Sequence, residues 1–293
     1  MIHVYGANIE IDCNLAIAIG KFDGLHKGHV ALIEELEKAR SLKLDTAVLS
    51  FAPHPAAVLT GKNVPQILSS HEKISLLQGM DVDYYIEYPF THQFAQISPE
   101  SFIQDILYKQ LRCRALVVGE NFRFGAGGRG DAVLAKSLGA KLGLQVHTIP
   151  LVTDKSVQIS AESIRGLVAA KDFDGVAQAC GRNFFLMGKV THGKKKGREM
   201  GFPTANIVPY EDKLLPPIGV YHTTTFVGNA GYPSITNVGA DVTETHLLDF
   251  SGDLYSHMIR VDFLKWMRDG RHFESYDDLA VQLAKDAKAR SMQ

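Results

Sequence analysis

Two histidines three residues apart, His26 and His29, lie in the run Gly20-Lys21-Phe22-Asp23-Gly24-Leu25-His26-Lys27-Gly28-His29. On the first turn of a helix that spacing aims both rings the same way. There they can donate hydrogen bonds to phosphate oxygens that gain charge during transfer. A helix start adds unpaired N–H groups and a partial positive charge, and the glycines at 24 and 28 admit close approach to the backbone, so the stretch suits a polyphosphate. A second group lies in the C-terminal half. Turn residues are dense in Gly188-Lys189-Val190-Thr191-His192-Gly193 and in Gly197 to Asn206, where backbone can wrap around phosphates, and Thr204 and Asn206 offer hard oxygens suited to Mg2+. On its residues alone, this second stretch is equally a glycine-rich pair of hairpins.

The elements that must position these residues follow from apolar patterning. Leu15 to Ile19 is a short continuous apolar run bounded by Gly20, the pattern of a strand buried on both faces of a parallel sheet. Val30, Ile33, Leu36 and Ala39 recur at helical spacing just beyond, so the helix begins between His26 and His29. Thr46 to Phe51 is a second strand, completing a right-handed β-α-β unit, and His54 follows it between two prolines. Ligands of open α/β sheets sit beyond the carboxyl ends of strands, which brings His54 toward His26 and His29. Strands are also expected over Val82–Tyr88, Leu116–Gly119 and Leu144–Ile149. Helices are expected from Ser98-Pro99, with Ser as N-cap, and from Ser160. Gly125 to Gly130 fits G-x-G-x-x-G, but the glycines do not follow the strand directly and no acidic residue closes a later strand about twenty residues on. The dinucleotide fingerprint is therefore rejected.

Residues from about 166 to 183 read as linking helices, after which composition changes. Short strand-like runs at Gly219–Phe226, Tyr232–Val238, Thr245–Phe250 and His257–Leu264 point to an antiparallel barrel. A final helix is expected from Ser275, as its cap, to Arg290.

With 293 residues the chain is long enough for about two domains. A net charge of −1, with Lys194-Lys195-Lys196 as the only basic run, argues against a general binder of nucleic acid or anionic membrane. Three distant cysteines, Cys13, Cys113 and Cys180, have neither metal spacing nor an even count for a disulfide framework. No apolar run approaches the ~18 residues that span a bilayer, so a cytoplasmic protein is expected. The lysine-bearing phosphate loop G-x-x-x-x-G-K-[ST] does not occur.

The run from Gly20 to His29 resembles the H-x-G-H signature of the nucleotidyltransferase superfamily. Its longer G-x-F-D-G-x-H-x-G-H form is similar to bacterial bifunctional riboflavin kinase/FMN adenylyltransferases, often called FAD synthetases. The resemblance continues through Phe51-Ala52-Pro53-His54-Pro55, Gly119-Glu120-Asn121-Phe122-Arg123-Phe124-Gly125, Ile159-Ser160 with Ile164-Arg165, and the kinase signature Gly201-Phe202-Pro203-Thr204-Ala205-Asn206. It then runs through Pro217 to Tyr221 and Glu244 to Phe250. It implies an α/β chain: a Rossmann-like nucleotidyltransferase domain on a parallel sheet over 1–183, and a riboflavin-kinase-like antiparallel β-barrel with a terminal helix over 184–293. It implies Gly20, Phe22, Asp23, Gly24, Gly28, His54 and Ser160 at ATP, and Asn121, Phe122 and Phe124 at the flavin. Thr204 and Asn206 would hold Mg-ATP, and Glu244 would be the base that activates the flavin hydroxyl. His26, His29, Arg165 and Glu244 form the implied catalytic set. ATP, FMN and, for a working kinase, riboflavin are the expected small-molecule partners, with Mg2+ and with neither nucleic acid nor membrane.

Two departures from that pattern set further expectations. Ala161 and Glu162 replace two hydroxyl residues of I-S-S-T-x-I-R, so the grip on triphosphate is expected to be weaker, with Arg165 still able to pair with phosphate. Asn237 and Glu244 are only seven positions apart, with no intervening Pro-Thr element. That shortening predicts an enzyme that transfers AMP from ATP to FMN while its kinase activity is weak or absent. The alternative is a fully bifunctional enzyme converting riboflavin to FMN and FMN to FAD. A non-catalytic flavin-nucleotide-binding regulator is a third reading, and the intact H-x-G-H counts against it.

Overall fold

Leu15 to Ile19 form a strand in which every residue is buried, as a continuous apolar run requires when both sheet faces are covered. The computed structural model describes residues 1–154, 157–192, 204–210, 212–240, 242–271 and 276–291. It divides into two units, Met1–Ala161 and Glu162–Gln293. The strands of the first unit are β1 (Ile2–Tyr5), β2 (Leu15–Ile19), β3 (Asp45–Ala52), β4 (Tyr84–Pro89), β5 (Cys113–Gly119), the two-residue β6 (Arg123–Phe124) and β7 (Gly130–Asp131), and β8 (Gln145–Ile149). A short hairpin, β9 (Thr153–Asp154) with β10 (Val157–Gln158), follows. Six of them make one all-parallel sheet in the order β1-β4-β3-β2-β5-β8. The expected strands are therefore present. β1, an edge strand with Ile2 and Tyr5 exposed, has too little apolar patterning to stand out in the sequence.

The helices of this unit are α1 (Lys27–Ala39), α2 (Pro55–Thr60), α3 (Ser70–Gln78), α4 (Pro99–Ser101, continuing as a π-helix over Phe102–Gln110) and α5 (Ala132–Leu142). α1 buries Leu32, Ile33, Leu36 and Ala39, the stripe its spacing predicts. Ser98 caps α4 by accepting from Ser101 N–H at 3.1 Å. Burial pushes the Cys113 thiol up to about 12, an inert thiol inside the core.

In the second unit α6 (Ala161–Ala169) and α7 (Phe173–Cys180) precede β11 (Phe184–Thr191), β12 (Ala205–Pro209), β13 (Gly219–Val227), β14 (Ala230–Val238), β15 (Thr243–Leu247) and β16 (Met258–Arg268). These six strands close an antiparallel barrel in the order β11-β12-β15-β14-β13-β16. The ring of Phe173 lies against Phe184, Tyr221 and Phe263, so α7 seals one part of the barrel core. The terminal helix α8 (Tyr276–Ser291) is tied to the barrel by Arg290, which donates to Thr223 O at 3.1 Å, and by the Arg268–Asp286 ion pair at 2.7 Å. Its expected cap, Ser275, lies outside the described residues, as do Gly193, Lys194 to Lys196 and Gly197 to Pro203.

Candidate active sites

The H-x-G-H run leaves the carboxyl end of β2 and enters α1 with His26 as its N-cap. Gly20 N–H donates to Leu49 O at 3.2 Å, tying the start of the loop to β3. Phe22 and Leu25 are wholly buried and hold φ of 48° and 40°. Such backbone costs about 1–3 kcal/mol per residue, and burying two large apolar side chains offsets it. The His26 carbonyl accepts from His29 N–H (2.7 Å) and Val30 N–H (3.0 Å), which sets the first turn. The two imidazoles stack with centroids 3.8 Å apart and planes at 27°, and Phe22 backs His29 at 4.9 Å. A Cβ on residue 28 would meet His26 Cε1 and Nδ1 at 3.1 Å, so Gly28 makes room for the His26 ring. The first turn of α1 carries no acidic side chain.

Sheet order explains why this loop is the place for a ligand. β3 and β4 follow on one side of β2, and the chain then returns to place β5 on the other side. The switch point is the β2/β5 crevice, where Ala18 pairs with Val117 close to both carboxyl ends. The H-x-G-H loop leaves one of these strands and the loop Gly119 to Phe124 leaves the other. Asn121 is exposed there, and Phe122, half-buried, stacks on Phe124 at 5.1 Å and 18°. Phe124 itself is packed in the core against Phe102. It thus backs Phe122 from within the core. The glycines at 125, 127 and 128 have positive φ in a turn between β6 and β7, consistent with rejecting the dinucleotide fingerprint.

His54 caps α2 at the carboxyl end of β3, next to β2, and its Nδ1 accepts from Ala56 N–H at 3.1 Å. In the neutral ring that places the proton on Nε2. Asp23 is turned inward. Its side chain is 1% exposed, and Oδ1 accepts from Ile67 N–H (2.7 Å) and Leu68 N–H (3.2 Å), so the carboxylate holds the segment leading into α3. Lys73 on α3, also buried, lies within electrostatic reach of Asp23 and Glu87. Burial pulls its pKa down and the two acids partly oppose that. Glu87 in turn accepts from Tyr85 (3.0 Å) and Ser70 (3.2 Å) and pairs with His3 at 2.8 Å. A lysine in a polar stretch gives no sequence signal of burial, so the burial of Lys73 is legible only in the fold.

Ser160 is half-buried immediately before α6. Arg165, half-buried on α6, packs within the second unit, and Glu162 is exposed in the first turn of that helix.

In the barrel, strand register assembles the second site. Asn206 on β12 pairs directly with Glu244 on β15, and Glu244 pairs directly with Asn237 on β14. Directly paired residues share a sheet face, so Asn206, Glu244 and Asn237 form one lateral row. Thr204, one residue before β12, falls on the same side by the strand period of two. Asn206 is buried, Glu244 half-buried and Asn237 exposed. The short Asn237–Glu244 segment is the turn of a hairpin: Val238 pairs with Thr243, and Gly239 N–H donates to Val242 O at 2.8 Å. Ladders on both sides of β15 hold the backbone of Glu244 despite the short segment.

The donors of this row are an amide, a carboxylate and a hydroxyl, all hard oxygens, and they fit Mg2+. Among the described residues no group of three or more His, Cys, Asp or Glu could hold a metal ion. Mg2+ commonly takes part of its coordination from substrate phosphates.

Fold and sites together define a two-module enzyme, a parallel-sheet nucleotidyltransferase followed by a closed antiparallel kinase-type barrel. The family model described as FAD synthetase matches residues 8–163, and that described as riboflavin kinase matches residues 180–292. The bifunctional riboflavin kinase/FMN adenylyltransferase of Escherichia coli (strain K12) is 35% identical over 92% of this chain and 90% of that protein. Its namesake from Haemophilus influenzae is 33% identical over 93% and 92%. The crystal structure of a macrolide-efflux protein from Streptococcus pneumoniae superposes with a TM-score of 0.87 at 27% identity, covering 99% of each chain. Among the described residues no helix is long and apolar enough to cross a membrane. The chain belongs to the bifunctional riboflavin kinase/FMN adenylyltransferase family, with both family domains present.

Proposed function

We propose that this protein converts riboflavin to FMN in the barrel and FMN to FAD at the H-x-G-H site, using ATP in both steps. The observation that carries the reading is the lateral row Asn206, Glu244, Asn237, which supports a working kinase in place of the impaired one that loop length alone implied. Glu244 takes the proton of the ribityl hydroxyl, and the resulting oxygen attacks the γ-phosphorus of ATP while ADP leaves. Thr204 and Asn206 would hold Mg2+ with the nucleotide. Bound there, the ion would neutralise charge on the phosphate oxygens.

In the second step a phosphate oxygen of FMN attacks the α-phosphorus of ATP in line, and the bond to pyrophosphate breaks. His26 and His29 donate to oxygens that gain charge, aided by the N–H groups that open α1. His54 and Ser160 contact phosphate. Gly20, Phe22 and Gly24 shape the nucleotide loop, with Asp23 holding it from within. Asn121 and Phe122 meet the flavin, with Phe124 behind. The functional boundary is placed at 183/184, so that 1–183 carries adenylyl transfer and 184–293 carries phosphorylation. The reading places the enzyme in the cytoplasm, with ATP and flavins as its partners.

The test is chromatography of products from riboflavin plus Mg-ATP and, separately, from FMN plus Mg-ATP. FMN and FAD are expected in the first mixture and FAD in the second. Glu244→Gln should abolish FMN formation and leave FAD formation from FMN intact. A wild type that makes FAD only when supplied with FMN would refute the bifunctional reading.

A further inference from the structure

Five side-chain hydroxyls inside the barrel close a ring. Thr223 meets Ser234 at 2.8 Å, Ser234 meets Thr225 at 2.8 Å, Thr225 meets Thr245 at 3.1 Å, Thr245 meets Thr236 at 2.9 Å, and Thr236 returns to Thr223 at 2.8 Å. All five residues are fully buried. With Thr236 donating to Thr245, every hydroxyl donates once and accepts once around the cycle, so each meets two partners without water. The ring spans three adjacent strands, with Thr223 and Thr225 on β13, Ser234 and Thr236 on β14 and Thr245 on β15. Each member is one residue out of phase with the opposite face. Thr245 is followed back along the chain by Glu244, and Thr236 runs forward to Asn237.

We infer that this hydroxyl ring is a positioning device for the phosphorylation site, holding β14 and β15 in lateral register so that Glu244 stays beside Asn237. The inference rests on the kinase reading above. An apolar interior would leave that register to the backbone ladders alone. Five mutually satisfied hydroxyls add a second restraint, because any shift leaves a buried donor or acceptor without its partner. The ring residues touch no reacting atom. They act through the backbone of the two residues that alternate with them, and a misplacement of ~1 Å at a general base costs about 10² in rate.

The experiment compares three variants of the full chain. Thr245→Val keeps the branched shape and removes one ring hydroxyl. Thr245→Ser keeps the hydroxyl. Val261→Ala, on β16, opens a cavity beside Thr225 and removes no ring hydroxyl. Thr245→Val and Val261→Ala should both lower the melting temperature by about 4–8 °C. Assayed well below either melting point, Thr245→Val should lose about 10–100-fold in kcat for riboflavin phosphorylation, with KM for ATP within about twofold. Val261→Ala should keep its kcat, Thr245→Ser should restore most of it, and adenylylation of FMN should be unchanged in all three. A kcat that falls equally in Val261→Ala, or one that holds in Thr245→Val, overturns the positioning role. If the wild type makes no FMN from riboflavin, the kinase reading fails first and the positioning role fails with it.

Discussion

Replacing His29 by alanine tests the H-x-G-H site most directly. The variant loses two things. One is a donor to oxygen that gains charge, and losing a single such donor costs about 2.7–4 kcal/mol. The other is the ring stacked on His26 at 3.8 Å, a contact worth about 0.5–1.5 kcal/mol, whose loss loosens the remaining imidazole. Together these give about 3–5.5 kcal/mol, or a fall of about 10²–10⁴ in kcat for FAD formation from FMN. Folding should be little affected. Phe22 and Leu25 still anchor the loop, the backbone bonds to His26 O remain, and alanine favours the helix. If the rings work as a stacked pair, His26→Ala/His29→Ala should lose much less than the product of the single losses. The assay is FAD production from FMN plus Mg-ATP, with FMN production from riboflavin in the same preparation as the internal standard. Unchanged FAD formation would move the chemistry away from H-x-G-H. Equal loss of both activities would mean that the substitution unfolds the chain.

Asn121→Ala should raise KM for FMN by about tenfold and leave KM for ATP nearly unchanged, since the residue is exposed on the β5 side of the crevice. Equal effects on both would remove it from the flavin side. Ala161→Ser/Glu162→Thr should lower KM for ATP in FAD synthesis by about 3–10-fold, because hydroxyl donors replace an exposed acid at the start of α6; a rise would show that Glu162 serves only its helix. Asp83 gives a pH-dependent stability effect. Burial pushes its carboxyl up, but bonds from Thr46 N–H and hydroxyl, both 2.8 Å, and the Arg40 guanidinium outweigh burial and hold it below its ordinary value. A depressed carboxyl stabilises the fold fully above the unfolded value of about 3.9 and loses that contribution as pH falls through the folded value. Asp83→Asn should therefore destabilise at neutral pH by on the order of 1 kcal/mol, discounted for its exposed third, and thermal melts of the two proteins should converge in acid.

The H-x-G-H site is legible in the amino-acid sequence because its physics is local. An apolar strand, a turn and an amphipathic helix occupy consecutive residues, and that order alone sets two histidines at a helix start beyond β2. The barrel class is legible as well, from short strand runs with turn residues between them. Side-chain direction is not. Asp23 reads as an acid in a polar loop, yet two distant amides, at Ile67 and Leu68, turn it inward. Phe124 reads like Phe122, yet packing against Phe102 buries only the former. Thr223 to Thr225 is an unbroken polar run in which no period of two can be seen. Only closure of the barrel makes Thr223 and Thr225 interior and supplies them with Ser234, Thr236 and Thr245. Loop length between Asn237 and Glu244 misleads for the same reason. A count of residues measures reach along the chain, whereas the place of Glu244 is determined by hydrogen-bond ladders to β12 and β14, which are contacts between strands far apart or reversed in sequence.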